Sequence, residues 1–311
     1  MQTPRLRRTR RRRLVFSSLA GLTAAVCIGV AGVDRSQAAP DPGDAAPVAA
    51  TDPEGPPKDD FASAFAYSLA HPTAAPSGAN DFTCRPDAAH PRPVVLVHGT
   101  MENRYDNWAA LAPRLKEAGY CSGALLGTED MVVSAGQLAD FVDRVRAATG
   151  AAKVDLVGHS QGGMMPRYYI KNLGGAAEVD KLIALTPSNH GTTFSGLGLL
   201  ALAIPGGNAV LGAACKSCSQ QLIGSDFLRA LNSGGETDPG VTYTVITTRY
   251  DEVVTPYTSA YLGAAPNVSN VELQDVCPAE TVDHIGISYN ALAGRLVLNA
   301  LDPAHAQRPT C

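Results

Sequence analysis

The chain has 311 residues, of which 45% are hydrophobic, and a formal net charge of −4. Eight of its 25 basic residues precede Ala38, and without them and Asp34 the remainder has 17 basic and 28 acidic residues, a net charge of −11. A body this acidic argues against binding to nucleic acid and against adsorption to anionic membrane surfaces. The length and the apolar content suffice for one large core, so we expect a single folded domain.

The first 38 residues have the pattern of an export signal. A basic stretch at residues 4–13 precedes an uncharged apolar run, Leu14–Val33, and small residues offer a cleavage site after Ala38 or Ala39. The alternative is a retained anchor, because a run of this length could just span a bilayer. Glycine, serine and threonine dilute the run, which favours cleavage and therefore a secreted protein. The arginine cluster also resembles a twin-arginine signal.

Residues 39–60 follow as a leader rich in proline, alanine and acidic residues. They contain too few large apolar side chains to bury a core, so we expect this stretch to be disordered. The folded domain is therefore predicted over residues 61–311.

Cysteine usage agrees with export. Cys27 lies in the signal, and the other six cysteines are Cys84, Cys121, Cys215, Cys218, Cys277 and Cys311. An even number in an exported chain predicts that all of them form disulfides, although the sequence alone does not fix the pairing. The CKSC spacing of Cys215 and Cys218 would suit a redox or zinc motif in a cytosolic protein, whereas in an exported one it favours a local disulfide.

Short apolar runs alternate with helical patterns along the domain. The runs, which we interpret as buried strands, are Pro93–Val97, Lys153–Val157, Val179–Leu185 and Val241–Thr248. The expected helices lie around residues 108–115, from a capping box at Ser134 and Gln137 to Gly150, over 162–175 and over 287–301. This alternation predicts an α/β fold with a mostly parallel central sheet and helices on both faces.

The five residues Gly158–Gly162 read GHSQG and stand between a predicted strand and a predicted helix. In that context the G-x-S-x-G pattern predicts a nucleophile elbow, a tight turn in which glycines on both sides make room for the serine. The turn would lift Ser160 above the edge of the sheet, at a helix N-terminus whose dipole favours developing negative charge. The alternative is a serine–glycine turn without chemistry.

A serine nucleophile needs a base, and the base is held by a third group. In folds with such an elbow, the acid and then the histidine follow the serine along the chain. His284 lies on a loop before the last helix, as this order requires. His190 precedes any strand that could carry the acid, and His305 lies in a polar tail. We therefore expect His284 to be the base.

The acid should end the strand that lies between the serine and the base. Asp251 is the first carboxylate after the run Val241–Thr248, so we expect it to orient the histidine. Glu252, Asp275 and Asp283 are weaker candidates.

An oxyanion hole needs backbone N–H donors. One is expected from Gln161, the residue after the nucleophile, and another from Thr100, in the loop after the first central strand. The Thr100 hydroxyl could add a third donor. We interpret His98 and His159 as structural or supporting neighbours, because the order of the motif assigns the base elsewhere.

Five stretches together resemble the bacterial class 2 lipases, secreted α/β-hydrolases of Gram-positive bacteria. They are VVLVHGT, GHSQGGMMPRYYIKNLGG, IALTPSNHGTT, TRYDEVVTP and DHIGISYN, and the resemblance covers about Pro93 to Leu301. It implies an α/β-hydrolase fold and hydrolysis of lipid esters without a cofactor. It also implies roles for five residues: nucleophile Ser160, acid Asp251, base His284, and oxyanion donors Thr100 and Gln161.

The resemblance bears on the cysteines as well. The family pairs the region of Cys84 and Cys121, and Cys277 and Cys311 would then tie the histidine loop to the C-terminus. Two departures, a longer segment between Thr192 and Leu231 and an enlarged loop before the histidine, concern the size of the substrate.

Residues 191–215 carry no charge at all. They could form a lid or a wall of an acyl pocket, since ester tails need an apolar site, or a helical excursion that packs as core. No cluster of histidine and acidic residues has metal-ligand spacing, so no metal is expected.

Together these patterns predict a secreted serine ester hydrolase, a lipase or carboxylesterase, that acts on lipid or other carboxylic esters. We expect no cofactor, no nucleic acid and no obligate protein partner, and the sequence leaves open a transient contact with a lipid–water interface. The alternatives are a cutinase-like polyesterase with the same triad and an inactive α/β-hydrolase that serves as a binding module.

Overall fold

The computed structural model describes residues 53–124, 130–196 and 207–311. All of them belong to one compact unit, Ala49–Cys311. The expected signal peptide, most of the expected leader and the centre of the uncharged segment lie outside the described residues. Those expectations remain predictions.

A six-stranded parallel sheet forms the centre of the fold. The described strands are β1 Glu54–Gly55, β2 Ala75–Pro76, β3 Val94–Val97, β4 Ser122–Ala124, β5 Val154–His159, β6 Val179–Leu185, β7 Thr242–Thr247 and β8 Val268–Glu272. The order across the central sheet is β4–β3–β5–β6–β7–β8, and every neighbouring pair is parallel. The predicted parallel α/β architecture is confirmed. The chain order reverses between β3 and β5, and such a switch point opens a crevice at the carboxyl ends of the strands.

Helices cover both faces of this sheet. They are α1 Phe61–Ala70, α2 Arg104–Trp108, α3 Leu111–Glu117, α4 Met131–Thr149, α5 Gln161–Met164, α6 Pro166–Asn172, α7 Gly207–Ala214, α8 Lys216–Gln220, α9 Asp226–Asn232, α10 Leu273–Val276 and α11 Ala291–Leu301. Side chains alternate along each strand, so Val95 packs with α4 and α6 on one face, while Leu96 packs with α3 and α11 on the other. Both faces are buried, which explains why the central strands read as continuous apolar runs.

The start of α4 differs from the prediction. The N-cap is Asp130, whose Oδ1 accepts a hydrogen bond from the Val132 amide over 2.8 Å. Ser134, the expected cap, lies inside the helix and is buried. The helix extends by an extra turn because Met131 packs into the core. At the other end, Gly150 adopts the expected left-handed conformation, with φ 74°.

Described residues before Phe61 also pack against the domain. Glu54–Gly55 pairs with Ala75–Pro76 as a short parallel ladder, and the Tyr105 hydroxyl donates to the Pro56 carbonyl over 2.5 Å. A Cβ atom on Gly55 would lie 2.2 Å from the Tyr105 ring, so only glycine fits there. The last residues of the expected leader are therefore packed against the domain.

The six described cysteines form three disulfides, Cys84–Cys121, Cys215–Cys218 and Cys277–Cys311. The last of these ties the end of α10 to the C-terminal residue. No helix within the described ranges is long and apolar enough to cross a membrane.

Candidate active site

Ser160 occupies a sharp turn between β5 and α5. Its backbone has φ 54° and ψ −121°, a strained conformation for a residue other than glycine. A Cβ atom on Gly158 would lie 1.8 Å from the Gly162 carbonyl oxygen, and one on Gly162 would lie 2.0 Å from the Val97 carbonyl oxygen. Both flanking glycines are therefore required by backbone approaches, as the elbow motif predicts.

His284 and Asp251 meet at the same edge of the sheet. Asp251 follows β7, and its Oδ2 lies 2.9 Å from His284 Nδ1. The other carboxylate oxygen accepts the amides of Val253 at 3.0 Å and Val254 at 2.7 Å, so the acid is fixed from both sides. Because Nδ1 donates to this carboxylate, Nε2 is the nitrogen of His284 that can accept a proton.

One cleft brings the serine and the histidine together. Its described lining is Thr100, Glu102, His159, Ser160, Thr192, Phe194, Gln221, Val253, Val254, His284 and Ile285. Four of these side chains are apolar and six others carry polar groups beside the serine. Apolar side chains thus lie beside polar groups that could surround a reacting carbonyl.

Thr100 and Gln161 lie on adjacent loops of this cleft. Within the described part of the chain, neither backbone amide donates a hydrogen bond to a protein acceptor, as an oxyanion hole requires. The Thr100 hydroxyl, however, donates to Gln161 Oε1 over 2.7 Å and accepts from Gln221 Nε2 over 2.8 Å. The hydroxyl proton is thus already used, and the hydroxyl is not directed into the cleft as a third donor in this structure.

Sequence reasoning missed Gln221. The residue is buried and follows the Cys215–Cys218 disulfide along the chain. Its Oε1 accepts a hydrogen bond from the Ser188 hydroxyl over 2.9 Å. Its neighbours Lys216, Ser217, Ser219 and Gln220 are polar as well, so no local pattern singled it out.

Sequence reasoning also missed Glu102. This buried residue accepts a hydrogen bond from His159 Nδ1 over 2.9 Å. Burial alone would raise the pKa of Glu102 and lower that of His159, but their mutual attraction and hydrogen bond reverse both effects. The pKa of His159 lies above its ordinary value and that of Glu102 lies below. His98 differs, because burial lowers its pKa, and its Nδ1 lies 2.8 Å from the Gly99 carbonyl oxygen.

The weaker candidates for the acid have other contacts. Glu252 and Asp283 are exposed, and Asp283 Oδ1 accepts the Gly286 amide over 2.7 Å. Asp275 is exposed and pairs with Arg249.

The remaining histidines have partners elsewhere too. His190 Nε2 lies 2.7 Å from Glu236 Oε1, and His305 Nδ1 lies 2.8 Å from Asp302 Oδ2.

Only the flanks of the uncharged segment are described, and Phe194 from the first flank lines the cleft. Across the described ranges, no group of three histidine, cysteine or acidic side chains could hold a metal ion.

Comparisons with known proteins identify the family of this chain. The family model for lipase (class 2) matches residues 91–285. Lipase B of Pseudozyma antarctica is 28% identical over 229 residues, which cover 67% of this chain and 62% of that protein. A triacylglycerol lipase of Pseudarthrobacter phenanthrenivorans is 41% identical over 92 residues, which cover 26% of this chain and 28% of that protein. The chain thus matches less than two thirds of the length of either relative.

Solved structures show the same architecture. Aspergillus fumigatus lipase B superposes with a TM-score of 0.59 and 27% identity, over 70% of this chain and 53% of that one. The mature form of Bacillus licheniformis lipase BlEst2 has a TM-score of 0.55 and 20% identity, over 70% of this chain and 94% of that one. With the family match spanning more than half of its residues, the chain belongs to the class 2 lipase family and has the α/β-hydrolase fold.

Proposed function

We propose that this protein is a secreted serine hydrolase that cleaves carboxylic esters through an acyl-enzyme. The observation that carries the proposal is the 2.9 Å contact between His284 Nδ1 and Asp251 Oδ2, in a cleft that also contains Ser160 at its strained elbow. The alternative of an inactive binding module gives no reason to retain that strain and that contact.

In the proposed mechanism, Ser160 Oγ attacks the ester carbonyl carbon while its proton passes to His284 Nε2. The amides of Thr100 and Gln161 donate to the oxyanion of the tetrahedral intermediate. Asp251 stays ionised and stabilises the imidazolium. The C–O bond to the alcohol then breaks, and the alcohol leaves with the proton from His284.

The same groups then hydrolyse the acyl-enzyme, with water as the nucleophile in place of Ser160. Water gives a proton to His284 Nε2 and attacks the acyl carbonyl, and the second tetrahedral intermediate collapses to release the acid and the Ser160 hydroxyl. Each cycle consumes one water and no other co-reactant.

The cleft supports an apolar acyl or alcohol group in the substrate. Phe194, Val253, Val254 and Ile285 form its apolar lining. The names of two relatives, a lipase and a triacylglycerol lipase, point to lipid esters as the first substrates to test. Secretion is supported by the export-signal pattern and by the three disulfides, which persist in oxidising compartments.

A direct test combines turnover with covalent labelling. The protein expressed with its own N-terminus should appear in the culture medium and hydrolyse p-nitrophenyl esters. A phosphonate ester should stop turnover and add its mass to the peptide that contains Ser160. Labelling of another serine, or turnover that survives complete labelling, would show that the nucleophile is misassigned. A series of acyl chain lengths in the same assay defines the substrate class.

A further inference from the structure

Three segments of the proposed site meet at a buried pair of side chains, Glu102 and His159. Glu102 Oε2 accepts the Gly99 amide over 3.0 Å, which holds the loop that carries Thr100. The same oxygen lies 2.9 Å from Nδ1 of His159, the residue directly before the nucleophile. The opposite nitrogen of that ring, Nε2, lies 2.9 Å from the carbonyl oxygen of His284. The oxyanion loop, the elbow and the base loop are therefore joined through two side chains.

The contacts of His159 determine how many protons its ring holds. A carbonyl oxygen can only accept, so Nε2 must carry a proton. An ionised carboxylate also only accepts, so Nδ1 must carry one as well. Asn107 Oδ1 accepts the Gly99 amide, which turns the Asn107 NH₂ group toward Nδ1 at 3.1 Å, so this donor competes with Glu102 for the same ring nitrogen. The charge-assisted bond to Glu102 is the shorter and stronger contact of the two. The contacts to Glu102 and to the His284 carbonyl therefore favour an imidazolium ring.

Burial makes this arrangement dependent on both partners. His159 is fully buried and Glu102 is 6% exposed, so an isolated charge on either would be strongly unfavourable. Opposite charges in contact, with further hydrogen bonds to Gly99 and to the His284 carbonyl, offset that cost. The other titratable groups around the pair are His98, Asp106, Asp251 and His284.

We propose that Glu102 and His159 form a permanent carboxylate–imidazolium pair that holds the main chain of His284 in register with the oxyanion loop. Both are positioning residues for the reaction, and this proposal rests on the proposed function. The rings of His159 and His284 are 4.9 Å apart, so a shift of the first is transmitted directly to the second. Misplacement of a catalytic group by about 1 Å can cost on the order of 10²-fold in rate.

The first experiment examines the wild-type protein, and a variant serves only to assign the signal. Nitrogen NMR of ¹⁵N-histidine-labelled protein at about pH 8 should show a ring with two protonated nitrogens, which is absent from the spectrum of a His159→Gln sample. A neutral ring at this position would overturn the proposal. The measurement does not depend on turnover, so it remains decisive even if the protein hydrolyses no ester.

The second experiment separates positioning from folding. In Glu102→Gln, an amide oxygen at the Oε2 position can still accept from Gly99 and from His159, which places the new NH₂ group at Oε1, an atom with no hydrogen-bond partner within the described chain. The ring would lose its counter-charge and one of its two protons. Either Nε2 stops donating to the His284 carbonyl, or Nδ1 stops donating to the side chain at position 102.

We expect kcat of Glu102→Gln to fall roughly 10- to 100-fold with KM little changed, because bound substrate meets a displaced base. The matched control is Glu178→Gln, a carboxylate paired with Arg146 at the opposite edge of the sheet, which should leave kcat unchanged. A Glu102→Gln enzyme with wild-type kcat would overturn the proposal. If that variant does not fold, the ring state of His159 in the wild-type protein still decides.

Discussion

Gln221 donates a hydrogen bond from Nε2 to the Thr100 hydroxyl over 2.8 Å, although 121 residues separate the two along the chain. The bond connects the segment behind the Cys215–Cys218 disulfide to the loop that carries the proposed oxyanion donor. Because the Thr100 hydroxyl in turn donates to Gln161 Oε1, both proposed oxyanion residues depend on the placement of this one amide.

Gln221→Ala should therefore lower kcat roughly tenfold while KM changes little, since the oxyanion loop loses an anchor but the cleft keeps its apolar lining. The control is the neighbouring Gln220→Ala. Gln220 contacts Asp130 and the Met131 amide at the start of α4, so its loss should lower Tm and spare kcat. Equal kcat losses in the two variants would contradict the role given to Gln221.

Ser160→Ala should lose at least about 10³-fold in kcat on p-nitrophenyl butyrate, because no acyl-enzyme can form. Ser134→Ala is the matched control, since Ser134 is also buried and its hydroxyl has no hydrogen-bond partner in the described structure. That control should retain full activity. Residual turnover of Ser160→Ala above one hundredth of wild type would identify a different nucleophile.

Asp251→Asn should reduce kcat by about 10³–10⁴, as in the analogous serine-protease substitution. The asparagine oxygen can keep the amides of Val253 and Val254, which turns its NH₂ group toward His284 Nδ1. Nδ1 then accepts, the ring proton moves to Nε2, and the histidine can no longer act as a base.

The exposed neighbours provide controls for this variant. Glu252→Gln and Asp283→Asn should each cost roughly tenfold or less in kcat, as ordinary positioning effects. A severe effect of Glu252→Gln with a mild one of Asp251→Asn would move the acid by one residue.

Asp106 predicts a pH dependence of stability. Burial raises the pKa of this carboxyl to about 7, so the folded protein holds a proton that the unfolded chain releases above about pH 4. The stabilisation is fully present below the unfolded pKa and is lost as pH rises toward 7. It amounts to no more than about 4 kcal/mol.

Urea unfolding of the wild type and of Asp106→Asn at several pH values isolates this contribution. Asparagine cannot titrate. Any contacts with Asn103 that the variant loses change its free energy of unfolding by the same amount at every pH. The free energy of unfolding of the wild type, relative to the variant, should therefore fall between about pH 4 and pH 7. A difference that stays flat over this range would refute the raised pKa.

The two kinds of disulfide should behave differently. Cys84–Cys121 closes a loop with a sequence separation of 37, and its removal by paired alanines should cost about 2–5 kcal/mol in unfolding free energy. Cys215–Cys218 spans a separation of only 3, so its loss should cost less stability but should lower kcat by releasing the segment that places Gln221. Urea unfolding and kcat on both paired variants test this; the opposite ranking would refute it.

Local patterns predicted the parts of the site that are local. The Ser160 elbow follows from five consecutive residues, and the steric limits at Gly158 and Gly162 show why those residues are needed. His284 and Asp251 were proposed from chain order, from their places beside predicted elements and from the family resemblance, and their 2.9 Å contact depends on adjacent loops at one sheet edge. The Glu102–His159 pair could not be found in this way, because neither residue type nor spacing indicates a contact across 57 positions.

The same limit applies to the fold. The apolar strands were predicted nearly to their ends, whereas β4, with the sequence SGA, and β8, with exposed Ser269 and Asn270, carry no clear pattern. Their strand conformation comes from pairing with β3 and β7. The start of α4 was missed because burial of Met131 in the core favours an earlier start than the capping pattern at Ser134 indicates.

The short ladder at Glu54–Gly55 sets a limit on trimming of the N-terminus. Tyr105, which receives this segment, lies in α2, and α2 begins only a few residues after Thr100. A protease that cuts before residue 53 would leave both the ladder and its contact with Tyr105 in place. A cut between residues 56 and 61 would expose the Tyr105 ring. Helix α2, which follows the oxyanion loop, would then lose its packing against this segment. A shortened form of the protein should therefore start no later than Pro53.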